Sequence, residues 1–485
     1  MKKCITALLV LGMLLSLAAC TSGESPETPP ASGTSAATES VPETKDEIED
    51  RTYLDDLPDG LDYDGYDFRI MVYRNGNINN GQFNAWVNFF EMEGETGEPI
   101  NDAAWKRNLA VEERLNTKIT AHEDADWGSV TSAVLRSTQA GEDIYDLVCP
   151  GSTEFFTSLI TQNALYDVAG GGYMNLEKGY YNHQMIDTYR LGNHVYLFTG
   201  TYPYPLLGCP YMIINMDEWE KRNLPDPYKM VENGEWTHGK MAEIVSDLYE
   251  DTNGNGKRDT GDFYGLSTVV GGDLKYLFHC YGGKILELTE DGFAFSLNSE
   301  KSQSIVEKLV SLAASQGFHD SIMIEDGNFL LYMYPSSFFR LRDLEYNYAL
   351  LPCPKLDESQ ENYITYGCGN VLCVPITISD ADRTTAILEA LYSATYTYMA
   401  DVFTDTFVEN KLLRDEGSQK MYRIITDTTS FEFTRYIDPS NGAMEDFKPL
   451  RDLITKKSTD LASAWAKIEE KVTTAYNDFY AQAIH

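Results

Sequence analysis

Several patterns are missing from this sequence, and each absence removes a class of chemistry. No two cysteines stand as CxxC, and no His/Cys cluster has ligand spacing, which argues against a structural zinc site. The seven histidines are scattered without a pair at metal spacing. GxSxG, HExxH and GxxxxGK[ST] do not occur, so a hydrolase elbow, a zinc-protease helix and a phosphate-cradling loop are all unsupported. Basic residues are few: 38 Lys and Arg face 75 Asp and Glu, for a net charge of −37. Such a chain repels nucleic-acid phosphates and anionic lipid headgroups. Two carboxylates can make a glycosidase, but acidic residues are too numerous here for a pair to carry information. The chain reads as a non-enzyme.

Long apolar runs are also scarce. One opens the chain: the lysines of "MKK", the apolar "ITALLVLGMLLSL", and Leu17-Ala18-Ala19-Cys20. The run is short for a spanning helix, and its flanks are those of a secretory leader. The last four residues resemble the bacterial lipobox, in which cleavage before the cysteine accompanies lipidation (palmitate or a related acyl chain) of its sulfur. The expectation is a leader over 1–19 and lipidation at Cys20. Residues 21–50, rich in Ser, Thr, Pro and Glu, cannot bury enough surface to fold, so 20–55 is expected to be a disordered, lipid-anchored stalk. Cys4 leaves with the leader. Cys149, Cys353 and Cys373 lie in apolar runs and read as buried thiols, while a disulfide from Cys368 stays open.

The remainder has a globular composition, 43% apolar and 12% aromatic, and is too long for one core. "YDFRIMVYR" (66–74) reads as a strand and "NDAAWKRNLAVEERLN" (101–116) as a helix capped by Asn101 or Asp102. "TKITAHE" follows as a strand, "WGSVTSAVLRSTQAG" as a helix stopped by Gly141, and "YDLVCP" as a buried strand. This β-α-β-α-β order predicts a parallel sheet whose ligand-facing loops, 74–90 and 150–156, follow the strand carboxyl ends. A second α/β unit begins with "YMIIN" (211–215). In it "KMAEIVSDLYE" reads as a helix capped by Thr237, and Trp219 and Trp236 read as core. "NYALLPCP" and "NVLCVPI" read as strands, and periodic faces over 387–400 and 461–480 as helices.

Several stretches, in order, resemble the extracellular solute-binding lipoproteins of ATP-binding-cassette importers, in particular the sugar-binding, family 1-like branch of Gram-positive bacteria. They are the lipobox and stalk, "INDAAWKRNLAVEERLN", "YDLVCPGS", "PYMIINMDEWEKRNLPDPY", "GEWTHGKMAEI", "DTNGNGKRDTGDFYGL" and "YALLPCPKLDESQENY", and together they cover most of 65–485. The resemblance implies an α/β, two-lobed periplasmic-binding-protein-like (type II) fold with an interlobe cleft. Lobe 1 would take 60–200, lobe 2 would take 205–352, and 353–485 would return to lobe 1 and supply C-terminal helices shared between lobes. It implies a monomer on the extracellular face of the membrane that captures an oligosaccharide for a permease. Crossings are expected near 198–210 and 352–368, both rich in Gly, Pro and Tyr.

Sugar sites combine aromatic faces with polar side chains that bond hydroxyls. Residues of those types in cleft-facing loops are Asn84, Trp86, Glu154, Tyr202, Tyr204, Tyr281, Arg340 and Tyr366. For any one aromatic, core packing is the more frequent role.

"DTNGNGKRDTGD" aligns as a calcium loop. Asp251, Asn253 and Asn255 fall at positions 1, 3 and 5, with Gly256 at the turn, the Lys257 carbonyl at 7, Asp259 at 9 and Asp262 at 12. Asn at 5 and Asp at 12 depart from the usual pattern; a terminal Asp resembles dockerin loops. The calcium would be structural. A metal-free Asx- and Gly-rich turn is the alternative. Alternatives to sugar capture are a calcium-dependent surface adhesin and a binding protein for a peptide or other solute.

Overall fold

The computed structural model describes residues 54–484 other than 75–89, 91–93, 127, 151–155, 202–208, 290–291, 335–337, 368 and 370. The leader, Cys20 and nearly all of the stalk lie outside the described residues. The folded body begins before the expected residue 60. The Leu54 amide donates to Ser393 Oγ at 3.1 Å, Asp55 pairs with Arg114 at 2.8 Å, and Leu57 is buried.

Phe68, Ile70 and Val72 are all fully buried, and they drive β1 (Tyr66–Arg74) into the centre of a parallel sheet. β2 (Thr117–Asp126) and β3 (Leu147–Cys149) flank it in the order β2-β1-β3, as the β-α-β-α-β pattern predicts. Helix α1 spans Pro99–Leu115, with Glu98 at the N-cap. The cap is therefore not Asn101 or Asp102. Proline fits the first helical position, where no amide is needed, and the Asp102 carboxylate instead accepts the amides of Thr96 (2.7 Å) and Gly97 (3.1 Å), fixing the entering turn. Helix α2 (Val130–Gln139) ends before Gly141, whose φ of 71° is the left-handed stop expected of it. Next comes the short α3 (His183–Tyr189), capped by Asn182, which accepts the Met185 amide at 3.0 Å.

The chain leaves this sheet near Phe198 and rejoins it at Leu372. The two residues exchange backbone hydrogen bonds of 3.1 and 2.9 Å. "NVLCVPI" does not form a strand; it makes single bridges, Cys373 to Val148 and Leu372 to Phe198 among them. Beyond it α4 (Ala381–Asp401) packs on α1. Its expected apolar face proves to be its whole circumference, for every residue from Thr384 to Thr395 is buried. The charged Glu389 is tolerated there because its carboxylate accepts the Tyr180 and Tyr181 hydroxyls and the Asn175 amide, the last two at 2.7 and 3.1 Å.

The second lobe holds a six-stranded mixed sheet. Its β4 (Tyr211–Asn215), β5 (Phe263–Thr268), β6 (Phe329–Tyr334) and β7 (Tyr348–Leu351) run in the order β7-β4-β6-β5. β5 and β6 are parallel, and β4 is antiparallel to both its neighbours. The helix after Trp236 covers His238–Val245, shorter than expected, since Tyr249 and Glu250 pair with β5 instead. Thr237 caps it, accepting the Lys240 amide at 3.3 Å. Trp219 and Trp236 are core residues as expected, each indole donating to a backbone carbonyl at 2.8 and 3.0 Å. Gly265 and Gly317 close tightly on the end of that helix: a Cβ on either would lie about 2 Å from the Val245 carbonyl oxygen, at 2.2 and 1.8 Å.

At the second crossing Thr365–Tyr366 pairs in parallel with Thr429–Ser430, and helices Lys448–Lys456, Leu461–Ala466 and Glu469–Ala483 complete the chain. Cys149, Cys209, Cys280, Cys353 and Cys373 are buried, and Cys368 is outside the described residues. Among the described residues no helix is long and apolar enough to cross a membrane.

Candidate functional site

The strands aim their carboxyl ends at loops that the described residues cover only in part. Asn84, Trp86, Glu154, Tyr202 and Tyr204 lie outside them. Arg340 is in a short helical turn, Phe338–Asp343, and its side chain is not described. The two remaining candidates are not brought to a surface. Tyr281 is fully buried with its hydroxyl 3.0 Å from His238 Nδ1. Tyr366 is fully buried, stacked on Tyr276 (5.3 Å, 20°) and edge-on to His279 and Phe447. Each fills the core behind a crossing, because a tyrosine ring flanked by other rings gains more from burial than from exposure.

At the carboxyl end of β5 the structure assembles a group that sequence reasoning missed. Val269 and Val270 are 39% and 57% exposed, an apolar step immediately past the strand. Gly271 and Gly272 follow, then Lys275, whose ammonium is almost wholly buried and lies 2.9 Å from Asp446 Oδ2. Asp446 also faces Arg451 (3.2 Å), Arg435 (3.4 Å) and the Tyr276 hydroxyl (3.3 Å). Asp446 and Phe447 both hold left-handed backbone, φ 48° and 54°, unusual for non-glycine residues and costly without surrounding support. Here the ion pairs and the Phe447 ring contacts supply it. Gly272 has no room for a side chain, since a Cβ would sit 2.8 Å from Arg451 Cγ. Burial raises the carboxyl of nearby Asp273, offset in part by Lys275. An apolar step beside charged hydrogen-bonding groups suits an amphiphilic, hydroxylated ligand. The signal was available: "VVGGDLK" follows a strand, and the carboxyl-end rule applies to both lobes.

The loop 251–262 is tightly cross-bonded. The Gly256 amide donates to Asp251 Oδ2 (2.9 Å), and the Asn253 and Asn255 amides donate to Asp259 (2.9 and 2.7 Å). Gly254 and Gly256 supply left-handed turns. Asp262 is fully buried; its Oδ2 accepts from the Tyr249 hydroxyl (3.0 Å) and the Asp259 amide (3.2 Å), while its Oδ1 is buried with no hydrogen-bond partner. The acidic groups do not converge: among the described residues no three His, Cys, Asp or Glu side chains stand close enough to hold a metal ion. A cation here would need a mixed set of carboxylate, amide and carbonyl oxygens, which is the chemistry calcium takes.

No family model matches the sequence, and no curated protein sequence does either. Solved structures match over most of the chain. The cyclic alpha-maltosyl-1,6-maltose binding protein of Arthrobacter globiformis aligns with a TM-score of 0.59 at 10% identity, covering 85% of this chain and 100% of that one. The galacto-N-biose-/lacto-N-biose I-binding protein of the ABC transporter of Bifidobacterium longum aligns at 0.57 and 11%, covering 86% and 98%. UgpB of Mycobacterium tuberculosis, in complex with glycerophosphocholine, aligns at 0.56 and 13%, covering 85% and 98%. This chain has the two-lobed fold of ABC-importer substrate-binding proteins. The α/β class and two-lobed plan expected from the sequence are those of this fold, and the first two of these three neighbours are binding proteins.

Proposed function

We propose that the protein captures a saccharide in the interlobe cleft and delivers it to an ABC-importer permease, without catalysis. The fold shared with saccharide-binding proteins along nearly the whole of their length carries this reading. We assign the exposed Val269–Val270 step at the carboxyl end of β5, with Lys275, Tyr276 and Arg451 following it in the fold, to one wall of the cleft. The lipobox at Cys20 supports a protein tethered to the outer face of the membrane. Thermal unfolding of the full chain against a saccharide panel tests the reading. A ligand at a hundred times its dissociation constant adds about 2.7 kcal/mol of stability. A fold relative bound to glycerophosphocholine makes a phosphodiester of that kind the second reading, and it belongs in the same panel. A shift with the phosphodiester and none with sugars favours the second; no shift with any solute favours the adhesin.

A structural calcium ion at 251–262 is part of the proposal. Asp251, Asn253, Asn255, the Lys257 carbonyl, Asp259 and Asp262 would hold it, and the buried Asp262 Oδ1, without a hydrogen-bond partner among the described residues, is the observation that supports a cation here. Calcium added after chelation should raise the unfolding midpoint of the full chain. Asp251→Ala with Asp259→Ala should erase that shift and leave saccharide binding intact; an undiminished calcium shift in the double variant would overturn the assignment.

A further inference from the structure

A cavity of about 490 Å³ opens between α3 of the first lobe and the hairpin Leu286–Thr289/Gly292–Phe295 of the second. That volume is within the range of small-molecule sites. Its lining includes three carboxylates, Asp187, Glu287 and Glu432, against one ammonium, Lys284, which is committed to Glu287 on the exposed rim. Glu432 is 5% exposed and has no ion-pair partner among the described residues. Among the described residues its carboxylate accepts from Thr434 alone, through the hydroxyl at 3.3 Å and the backbone amide.

The other polar groups do not neutralise it. The His279 ring has Nε2 2.7 Å from Ser430 Oγ, while Nδ1 is buried with no partner. Burial pulls this imidazole down to about 4, so it stays neutral near pH 7. A desolvated carboxylate facing a cavity without a counter-ion is costly unless a cation arrives. Metal is a poor occupant, because among the described residues these carboxylates do not converge to ligating distance. The apolar lining, with Leu286, Leu288, Phe431 and Phe433, fits an alkyl body, and aromatic faces attract an ammonium. The surplus negative charge of the whole chain further concentrates cations at such a mouth.

We propose that this cavity binds a small primary ammonium with a short apolar body, the charged group resting on the Glu432 carboxylate. The proposal rests on the two-lobed reading, but it uses none of the groups at the carboxyl end of β5, and its amine titration fails or succeeds separately from the saccharide panel.

Isothermal titration of the full chain at pH 8.5 with pentylamine, and separately with 1-pentanol as the neutral match, tests it. Saturable binding of pentylammonium at one site, with pentanol at least about tenfold weaker, is the expected result. Equal binding of the two, or binding of neither, overturns it. Glu432→Gln should abolish pentylammonium binding, and retention would overturn the proposal. Wild-type titration at pH 6 keeps the test decisive if that variant does not fold. Burial lifts the Glu432 carboxyl to about 7, so affinity should fall about tenfold between pH 8.5 and pH 6. The groups facing it are Asp187 from α3, Lys284 just before the hairpin, Glu287 within it, and His279, whose imidazole stays neutral across that range. Affinity unchanged by pH would place the ammonium elsewhere and overturn the assignment.

Discussion

Glu432 sets a pH dependence of stability with an unusual sign. Its folded carboxyl titrates near 7 because of burial, above its ordinary value of 4.5. Between those values the native state binds more protons than the unfolded one, so stability falls as pH rises from about 4.5 to about 7. Glu432→Gln should therefore leave stability nearly unchanged at pH 4.5 and raise it by about 1–3 kcal/mol at pH 8, read from urea midpoints at the two pH values. His238 and His279, both held down to about 4 by burial, act in the opposite sense: the unfolded chain binds their protons first, so each removes stability as pH falls from about 6.5 towards 4. A steric prediction is sharper. Gly317→Ala should destabilise by about 2 kcal/mol or more, since the new methyl meets backbone at 1.8 Å, and chemical denaturation would show it. At this scale the sequence was half legible. Trp219 and Trp236 were correctly placed in the core. Tyr281 and Tyr366 were not, because a residue type does not say which way a ring faces. Lys275 and Asp446 meet only through tertiary structure, and neither segment points to the other.

Helices and strands with a local signature were read well. α2 and its Gly141 stop, the Thr237 cap and β4 are where periodicity and capping chemistry put them. α1 departs by two residues because a proline at the first position outweighs the acidic side chain behind it. α4 shows the limit of periodicity, since a helix encased on every side has no polar face to mark its phase. Its N-terminus is still explicit: Asp380 accepts the Arg383 amide at 3.0 Å. Asp380→Ala should cost about 1 kcal/mol, measured as a shift in denaturation midpoint, with the fold unchanged by circular dichroism. The antiparallel placement of β4 between β6 and β7 had no local signal, because strand direction is set by connections far along the chain.

For the molecule as a whole, a net charge of −37 carries a self-repulsion that salt relieves. The Debye length shrinks from about 30 Å at 0.01 M to about 10 Å at 0.1 M. The thermal midpoint should therefore rise with sodium chloride over that range, and a flat or falling midpoint would show that local ion pairs such as Arg69–Asp146 outweigh the net field. The two-lobed plan was legible from the order of motifs, whereas the cleft was legible only as loop positions.

The hydrogen bonds that join Phe198 to Leu372 make the chain between them, which carries all the strands of the six-stranded sheet, in polymer terms a closed loop inserted at one point of the first lobe. Closure entropy grows only with the logarithm of loop length, so lengthening or trimming the inserted lobe costs its host little. The same geometry orders events in time. The first lobe cannot seat α4 until the far end of the insertion has emerged, and during synthesis Val148 of β3 must wait for its bridge to Cys373, encoded much later in the chain.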